Sequence, residues 1–238
     1  MPPAVLVEHV SKEFILRHNR AMGLKTRFLA LFHKSKRERR EHFLALDDIN
    51  LRVERGEALG LLGHNGSGKS TLLQIIAGIL EPSQGRVTTH GRIAPLIQPG
   101  VGFHPELSGY ENIFLNASLY GFRNRDTEKR VKDIIEFSEL QHFIDTPLKN
   151  YSSGMQMRLG FSVAVHLQPD ILLADEILAV GDRAFQDKCH DKIAELRRNG
   201  MTLILVSHSR DQINKFCDQF VRLEHGRVVE AGRLEQNP

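Results

Sequence analysis

The 238 residues are 41% hydrophobic and 26% charged, which suits one sizeable domain, or a domain with a subdomain, and argues against extended disorder. No apolar run approaches the roughly 18–20 residues that span a bilayer, and the opening MPPAVLVEHV has neither the basic start nor the apolar core of a signal peptide, so a chain made and kept in the cytosol is expected. The formal charge of +3 hides an asymmetry: nine Lys or Arg and two acidic residues between Arg17 and Phe43 give +7, and everything else carries −4, so no basic face for nucleic acid runs across the fold.

In chain order, VSKEF ends in Phe14 and is followed by the basic stretch, whose densest part is LFHKSKRERREHF, Leu31 to Phe43. Leu24, Phe28, Leu31 and Phe32 share one face at helical spacing. A basic amphipathic helix at a membrane surface or docked on a partner is therefore expected, with a solvated loop as the alternative. EALGLLG, Glu57 to Gly63, reads as an apolar strand with a glycine stop, and KSTLLQIIAGIL as the helix after it. Between them lies GHNGSGKST: Gly63, His64, Asn65, Gly66, Ser67, Gly68, Lys69, Ser70 and Thr71 fit G-x-x-x-x-G-K-[ST]. In that pattern glycines let backbone N–H groups converge on phosphate oxygens at the positive end of a helix. Lys69 then reaches the β- and γ-phosphates of a nucleotide, and the Ser70 hydroxyl ligates Mg²⁺.

GYENIFLNASLYGF and DTEKRVKDIIEFSEL both read as helices, the second opened by Asp126 or Thr127 as a cap. Phe103 to about Gly160 is accordingly expected to be a helical insertion into an α/β core. ILLADE, Ile171 to Glu176, is an apolar strand ending in two carboxylates. Asp175 is placed to hold Mg²⁺ through water, and Glu176 to polarise a water against the γ-phosphate as general base. DRAFQDKCHDKIAELRRNG is a helix with basic residues in its last turn and a glycine stop. MTLILVSH is another apolar strand, and such strands separated by helices imply a parallel sheet covered on both faces. Cys189 and Cys217 have no metal-ligand spacing and are expected to be buried thiols. The residues from about Glu235 read as a fraying tail.

YSSGMQMRLG, Tyr151 to Gly160, resembles the signature motif of ABC-transporter ATPases, and the order of phosphate loop, signature, ILLADE and VSHS is similar to that family over nearly the whole chain. The more usual signature reads L-S-G-G-Q; Ser152 and Gly154 are kept here, while Ser153 replaces a glycine. The resemblance implies an α/β P-loop NTPase core with a parallel sheet and antiparallel β elements. That core spans 1–98 and 161–238 with the basic insertion at about 17–43, and residues 99–160 form a helical signature subdomain. It further implies that two copies of the chain face each other with two ATP molecules sandwiched between them. Each copy's Ser152, Ser153 and Gly154 then complete the other's site, and Asp182, in LAVGD, lies on the loop that crosses the interface. His208 resembles the switch histidine at the γ-phosphate, Gln98 the glutamine that senses Mg²⁺ and γ-phosphate, and Phe14 the aromatic that stacks on adenine. Ile177 stands where many relatives have proline.

GFHPELSGYENI, YSSGMQMRL, DEILAVGDRAFQDKC and LVSHS together resemble one branch, the ATPases that drive export of lipid-linked polysaccharides such as O-antigen, capsule and teichoic acids. That implies ATP and Mg²⁺ as cofactors and an integral membrane permease as partner. It also implies a lipid-linked glycan as cargo, and a place at the cytoplasmic face of the cell membrane without nucleic acid. Another cargo (drug, lipid or peptide) is the alternative. A non-transport ABC ATPase acting on nucleic acid is disfavoured, because the 82 residues between Lys69 and Ser152 leave no space for a long coiled coil.

Overall fold

The computed structural model describes residues 1–18, 39–97, 102–175 and 181–234. Glu176, Ile177, Gln98, the tail from Glu235 and the helical face of Leu24, Phe28, Leu31 and Phe32 lie outside the described residues.

The three apolar strands read from the sequence form the centre of a six-stranded sheet. They are β3 (Ala58–Leu62), β6 (Ile171–Asp175) and β7 (Thr202–Val206). With β5 (Ile93–Leu96), β8 (Gln219–Glu224) and β9 (Arg227–Arg233), the order is β5-β6-β7-β3-β8-β9. All neighbours are parallel except β9, which runs antiparallel to β8. Pro95, which cannot donate to a ladder, sits on the edge strand β5, where that loss is tolerated. A second sheet of three antiparallel strands has the order β2-β1-β4, from β1 (Val5–His18), β2 (Arg39–Val53) and β4 (Gln84–Thr89).

Strand side chains alternate between two cores. Leu59, Leu61, Leu173 and Ile204 face the three-stranded sheet and helix α1 (Lys69–Ile76). Ala58, Leu172, Leu203 and Leu205 face the other helices, which are α5 (Ser153–His166), α6 (Arg183–Arg198) and α7 (Arg210–Phe216). Cover on both faces explains why these strands read as unbroken apolar runs rather than alternating ones.

Residues 109–167 carry a third core, in which Ile113, Ile134, Leu148, Leu159 and Val163 are buried. It joins α2 (Gly109–Leu119), α4 (Val131–Ser138) and α5, with the short polar helix α3 (Asn124–Glu128) linking α2 to α4. Helix α5 is continuous through residue 160 and contributes Leu159 and Val163 to this core, and Phe161 and Ala164 to that of the sheet. The segment expected as one helix from Asp126 is two. Arg130 ends the first helix with its N–H on Thr127 O, and its guanidinium is drawn to His166 O and Gln168 Oε1, at 2.6 and 2.9 Å. Neither Asp126 nor Thr127 caps a helix; the Thr127 hydroxyl donates back to Arg123 O within α3.

Candidate functional site

The loop from Gly63 to Gly68 leaves the end of β3 and enters α1. Two of its glycines are dictated by the backbone. Gly63 has φ 147°, and a Cβ there would lie 2.4 Å from Leu223 O. Gly68, the residue preceding α1, has φ 105°, and its Cβ would meet Ala45 O at 2.8 Å and Leu46 Cδ2 at 2.7 Å. No side chain caps α1 and no acidic residue stands in its first turn. Its leading N–H groups are thus left for an anion rather than satisfied by a carboxylate or hydroxyl of the chain.

Lys69 is buried, and its ammonium donates to Gly63 O at 2.7 Å and His64 O at 3.0 Å, folded back over the loop it follows. The Ser70 hydroxyl donates to Asp175 Oδ2 at 2.8 Å, joining residues 105 positions apart. Two hard oxygen donors thus meet at the head of α1, the donor type that suits Mg²⁺. Phe43, Ala45, Asn65, Lys69, Ser70 and Asp175 wall a cleft of about 510 Å³ that Gly66, Gly68 and Thr71 also line.

Two residues of this region were not singled out from sequence. Phe43, at the end of the basic stretch, is half exposed and lines the cleft. Phe14 stands opposite Phe43 in the β1–β2 ladder, 36% exposed, with the Lys12 ammonium 5.3 Å from its ring centre. Gly226, in the β8–β9 turn, donates to Ser67 O and accepts from Asp47 N, bracing the phosphate loop against β2. A Cβ at Gly226 would lie 2.6 Å from Ala45 O, and its φ of 77° also favours glycine. The sequence carries no signal for that brace beyond the glycine itself. Ser67 itself is fully buried.

His208 follows β7, two positions beyond Val206, which is in register with Asp175 on β6. Ser207 Oγ accepts from Ser209 N and donates to Gln212 Oε1, and Ser209 caps α7, so the turn that carries His208 is pinned on both sides. His208 therefore belongs to the same carboxyl edge of the sheet as Asp175, where open parallel sheets bind ligands.

The signature residues stand apart from that cleft. Ser152 caps α5, its hydroxyl accepting from Met155 N at 3.2 Å, and no acidic residue occupies the first turn. The preceding Tyr151 is buried, and its hydroxyl donates to Phe143 O, tying the start of α5 into the helical core. Ser152 and Ser153 are exposed. A Cβ at Gly154 would find its nearest neighbour, Ser152 Oγ, at 3.9 Å, so nothing within the described residues requires a glycine there. Asp182 caps α6 by accepting from Phe185 N at 2.9 Å, and also accepts from Arg158. The Phe185 amide, against slight desolvation and with help from Arg158, holds its carboxyl below the usual range.

A glycine-framed phosphate loop at the head of a helix, with a strand-end aspartate hydrogen-bonded to its serine, defines a P-loop nucleotide-binding protein. Residues 46–179 match the family described as ABC transporter. The chain belongs to that family, as an ATP-binding subunit. An O-antigen export system ATP-binding protein, RfbB of Klebsiella pneumoniae, is 45% identical and covers 99% of this chain and 96% of its own length. The teichoic acids export ATP-binding protein TagH of Listeria monocytogenes is 42% identical over 98% of this chain and 68% of its own. Among solved structures, a post-hydrolysis dimer of the ATP-binding cassette MJ0796 bound to ADP and Pi has the same fold. Its TM-score is 0.76 at 23% identity, covering 97% of this chain and 99% of the other.

Proposed function

We propose that this chain is the ATP-hydrolysing subunit of an ABC exporter that drives a separate membrane permease to move lipid-linked polysaccharide across the cytoplasmic membrane. The observation that carries the cargo is similarity along nearly the full length of both chains to a protein named for O-antigen export. The teichoic-acid relatives extend the same theme to a second class of lipid-linked polymer.

In this reading the phosphates of ATP lie along the Gly63–Thr71 loop, where phosphate oxygens replace Gly63 O and His64 O as partners of Lys69. Ser70 and Asp175 would hold Mg²⁺, together with Gln98. When bound, the ion neutralises charge on the β- and γ-phosphate oxygens. Glu176 takes a proton from the attacking water, and His208 holds the γ-phosphate from the β7 side. Phe43, with Phe14 beside it, provides the surface on which adenine stacks.

The signature belongs to the partner's site. Residues 152–154 take no part in walling the Lys69 cleft, yet they present an exposed helix start, capped only by Ser152 itself and free of acidic residues in its first turn, with a glycine that nothing among the described residues calls for. A two-fold dimer brings each signature onto the other chain's ATP, giving two nucleotides in one isologous interface. Among the described residues no helix is long and apolar enough to cross a membrane, which suits a subunit that reaches the membrane through its permease and sits on the cytoplasmic face. The division into a 1–98 and 161–238 core and a 99–160 signature unit is the mechanical counterpart of this scheme, with α5 as the shared element.

Deleting the gene in its native cell and measuring lipid-linked glycans by mass spectrometry tests the cargo: finished polymer accumulates on the cytoplasmic side. An unchanged pool in a cell without a second exporter refutes it. Glu176→Gln tests the chemistry, with ATP retained in a closed dimer and turnover lost; wild-type hydrolysis by that variant removes the general-base assignment. Sedimentation at moderate salt with membranes, rather than with nucleic acid, separates the transport reading from the nucleic-acid one.

A further inference from the structure

Six positions after the signature serine, Arg158 reaches across to two other elements. Its Nη1 donates to Glu139 Oε2 at 2.5 Å and its Nη2 to Asp182 Oδ2 at 2.9 Å. Its guanidinium carbon lies 4.5 Å from the centre of the Phe185 ring. Glu139 is the residue that ends α4, held at φ 60°, and its other oxygen accepts from Lys188 of α6 at 3.1 Å. Gly181, at φ 73°, lies directly beneath the arginine: a Cβ there would come within 3.2 Å of Arg158 Nε. One guanidinium therefore ties α4, the signature helix α5 and the start of α6.

The two oxygens of Asp182 divide the work. Oδ1 accepts from Phe185 N and starts α6, while Oδ2 faces Arg158. The cap fixes the helix end, and the Phe161 and Phe185 rings, with centres 6.4 Å apart, pack α5 against α6; Arg158 adds the direct tie between α5 and the Asp182 carboxylate itself. Both carboxylates are substantially exposed, at 49% and 67%, against 18% for the arginine, and ion pairs of that kind contribute little to stability. The planar fork, stacked on a ring and shared between two acids, instead fixes a geometry.

We propose that Arg158 is a positioning residue: it holds the Asp182 carboxylate at a fixed place relative to the Ser152 end of α5, so that the signature and the interface-crossing loop move as one piece when ATP closes the dimer. This rests on the dimeric reading above. The binding of ATP by Lys69 of the same chain does not depend on it, whereas turnover, which needs signature and loop together, does.

The test is a double-mutant cycle on the full chain with Arg158→Met, which keeps the apolar stem, and Asp182→Asn, which keeps an oxygen to cap α6. Arg158→Lys is the second variant at the same site, retaining charge without the fork. The readouts are kcat per folded molecule, affinity for a non-hydrolysable ATP analogue, and the thermal unfolding midpoint. Expected are a fall of about tenfold or more in kcat for each single variant and analogue affinity within about twofold of wild type. The double variant should fall no lower than the worse single. Losses that multiply, or an unchanged kcat, or a lowered midpoint with unchanged kcat per folded molecule, overturn the proposal. Lys69→Ala measured alongside separates the two layers. Wild-type hydrolysis by it would remove the ATP site itself, whereas an inactive Lys69→Ala beside normally active Arg158 variants would remove only the positioning role.

Discussion

Replacing Phe43 with alanine separates a base platform on the second strand from one on the first. Phe43 is 49% exposed and lines the nucleotide cleft, while Phe14, its cross-strand neighbour, is 36% exposed. A phenylalanine side chain presents roughly 150–250 Å², so about 75–120 Å² of Phe43 remains open to a ligand. A stacked base covers one face of the ring, about half of that area, and at ~25 cal/mol per Å² this gives about 1–1.5 kcal/mol. Losing it weakens ATP binding about five- to twelvefold. Titration calorimetry with an ATP analogue, run on Phe43→Ala and Phe14→Ala, is the assay. Inorganic triphosphate serves as the control ligand, because it has no base to stack. Phe43→Ala should lower ATP affinity by that factor, leave triphosphate affinity unchanged, and exceed the effect of Phe14→Ala. If Phe14→Ala weakens ATP and Phe43→Ala does not, the platform is on β1 and the reasoning from the cleft wall is refuted.

The glycines of the phosphate loop should differ in what they tolerate. Gly68→Ala combines a left-handed backbone with contacts of 2.7 and 2.8 Å, and should cost at least about 2 kcal/mol in urea unfolding. Gly66→Ala, with φ 81° and nothing within 4 Å, should cost about 1 kcal/mol, the backbone term alone; equal costs would contradict the packing described around Ala45 and Leu46. Burial pushes the Cys189 and Cys217 thiols up to about 12, so at pH 8 iodoacetamide should label neither in the native protein and both after unfolding. Rapid native labelling of either would place that thiol at the surface.

What the sequence revealed depended on how local each determinant is. The phosphate loop was legible because its glycines, lysine and serine are fixed by one tight turn, and the structure puts left-handed backbone at Gly63, Gly66 and Gly68. Asp175 was legible because β6 is buried on both faces, so its apolar run must end where the strand emerges. Phe43 was not, since its place depends on the pairing of β1 with β2 across a long insertion. Nor was the Gly226 brace, where a turn near the chain's end meets a loop about 160 positions earlier. The strands of the three-stranded sheet, and β5, β8 and β9, were likewise not located from pattern; the family resemblance anticipated antiparallel elements without positions for them. The split between α3 and α4 escaped because NRDTEKR, residues 124–130, carries neither a proline nor a glycine to mark a break. What breaks the helix is Arg130, anchored to the far end of α5 at His166 and Gln168.

These misses share a consequence for mechanism. The groups legible from sequence are those proposed to touch phosphate or its metal ion, and Gly63, Asp175 and His208 each sit where a strand hands over to a turn. The groups that were not legible connect elements: Phe43 carries the second sheet to the wall of the Lys69 cleft, Gly226 connects that sheet to the phosphate loop, and Arg158 connects the signature helix to α4 and α6. A single nucleotide site requires only the first set. An ATPase that must convert γ-phosphate loss into displacement of a permease also requires the second, because a charge change at Ser70 and Asp175 becomes movement only through contacts that link rigid pieces. The two sets should therefore fail differently on mutation. Changes at Lys69 or Ser70 should abolish binding or chemistry outright. Changes at Arg158 should leave binding intact and slow the cycle.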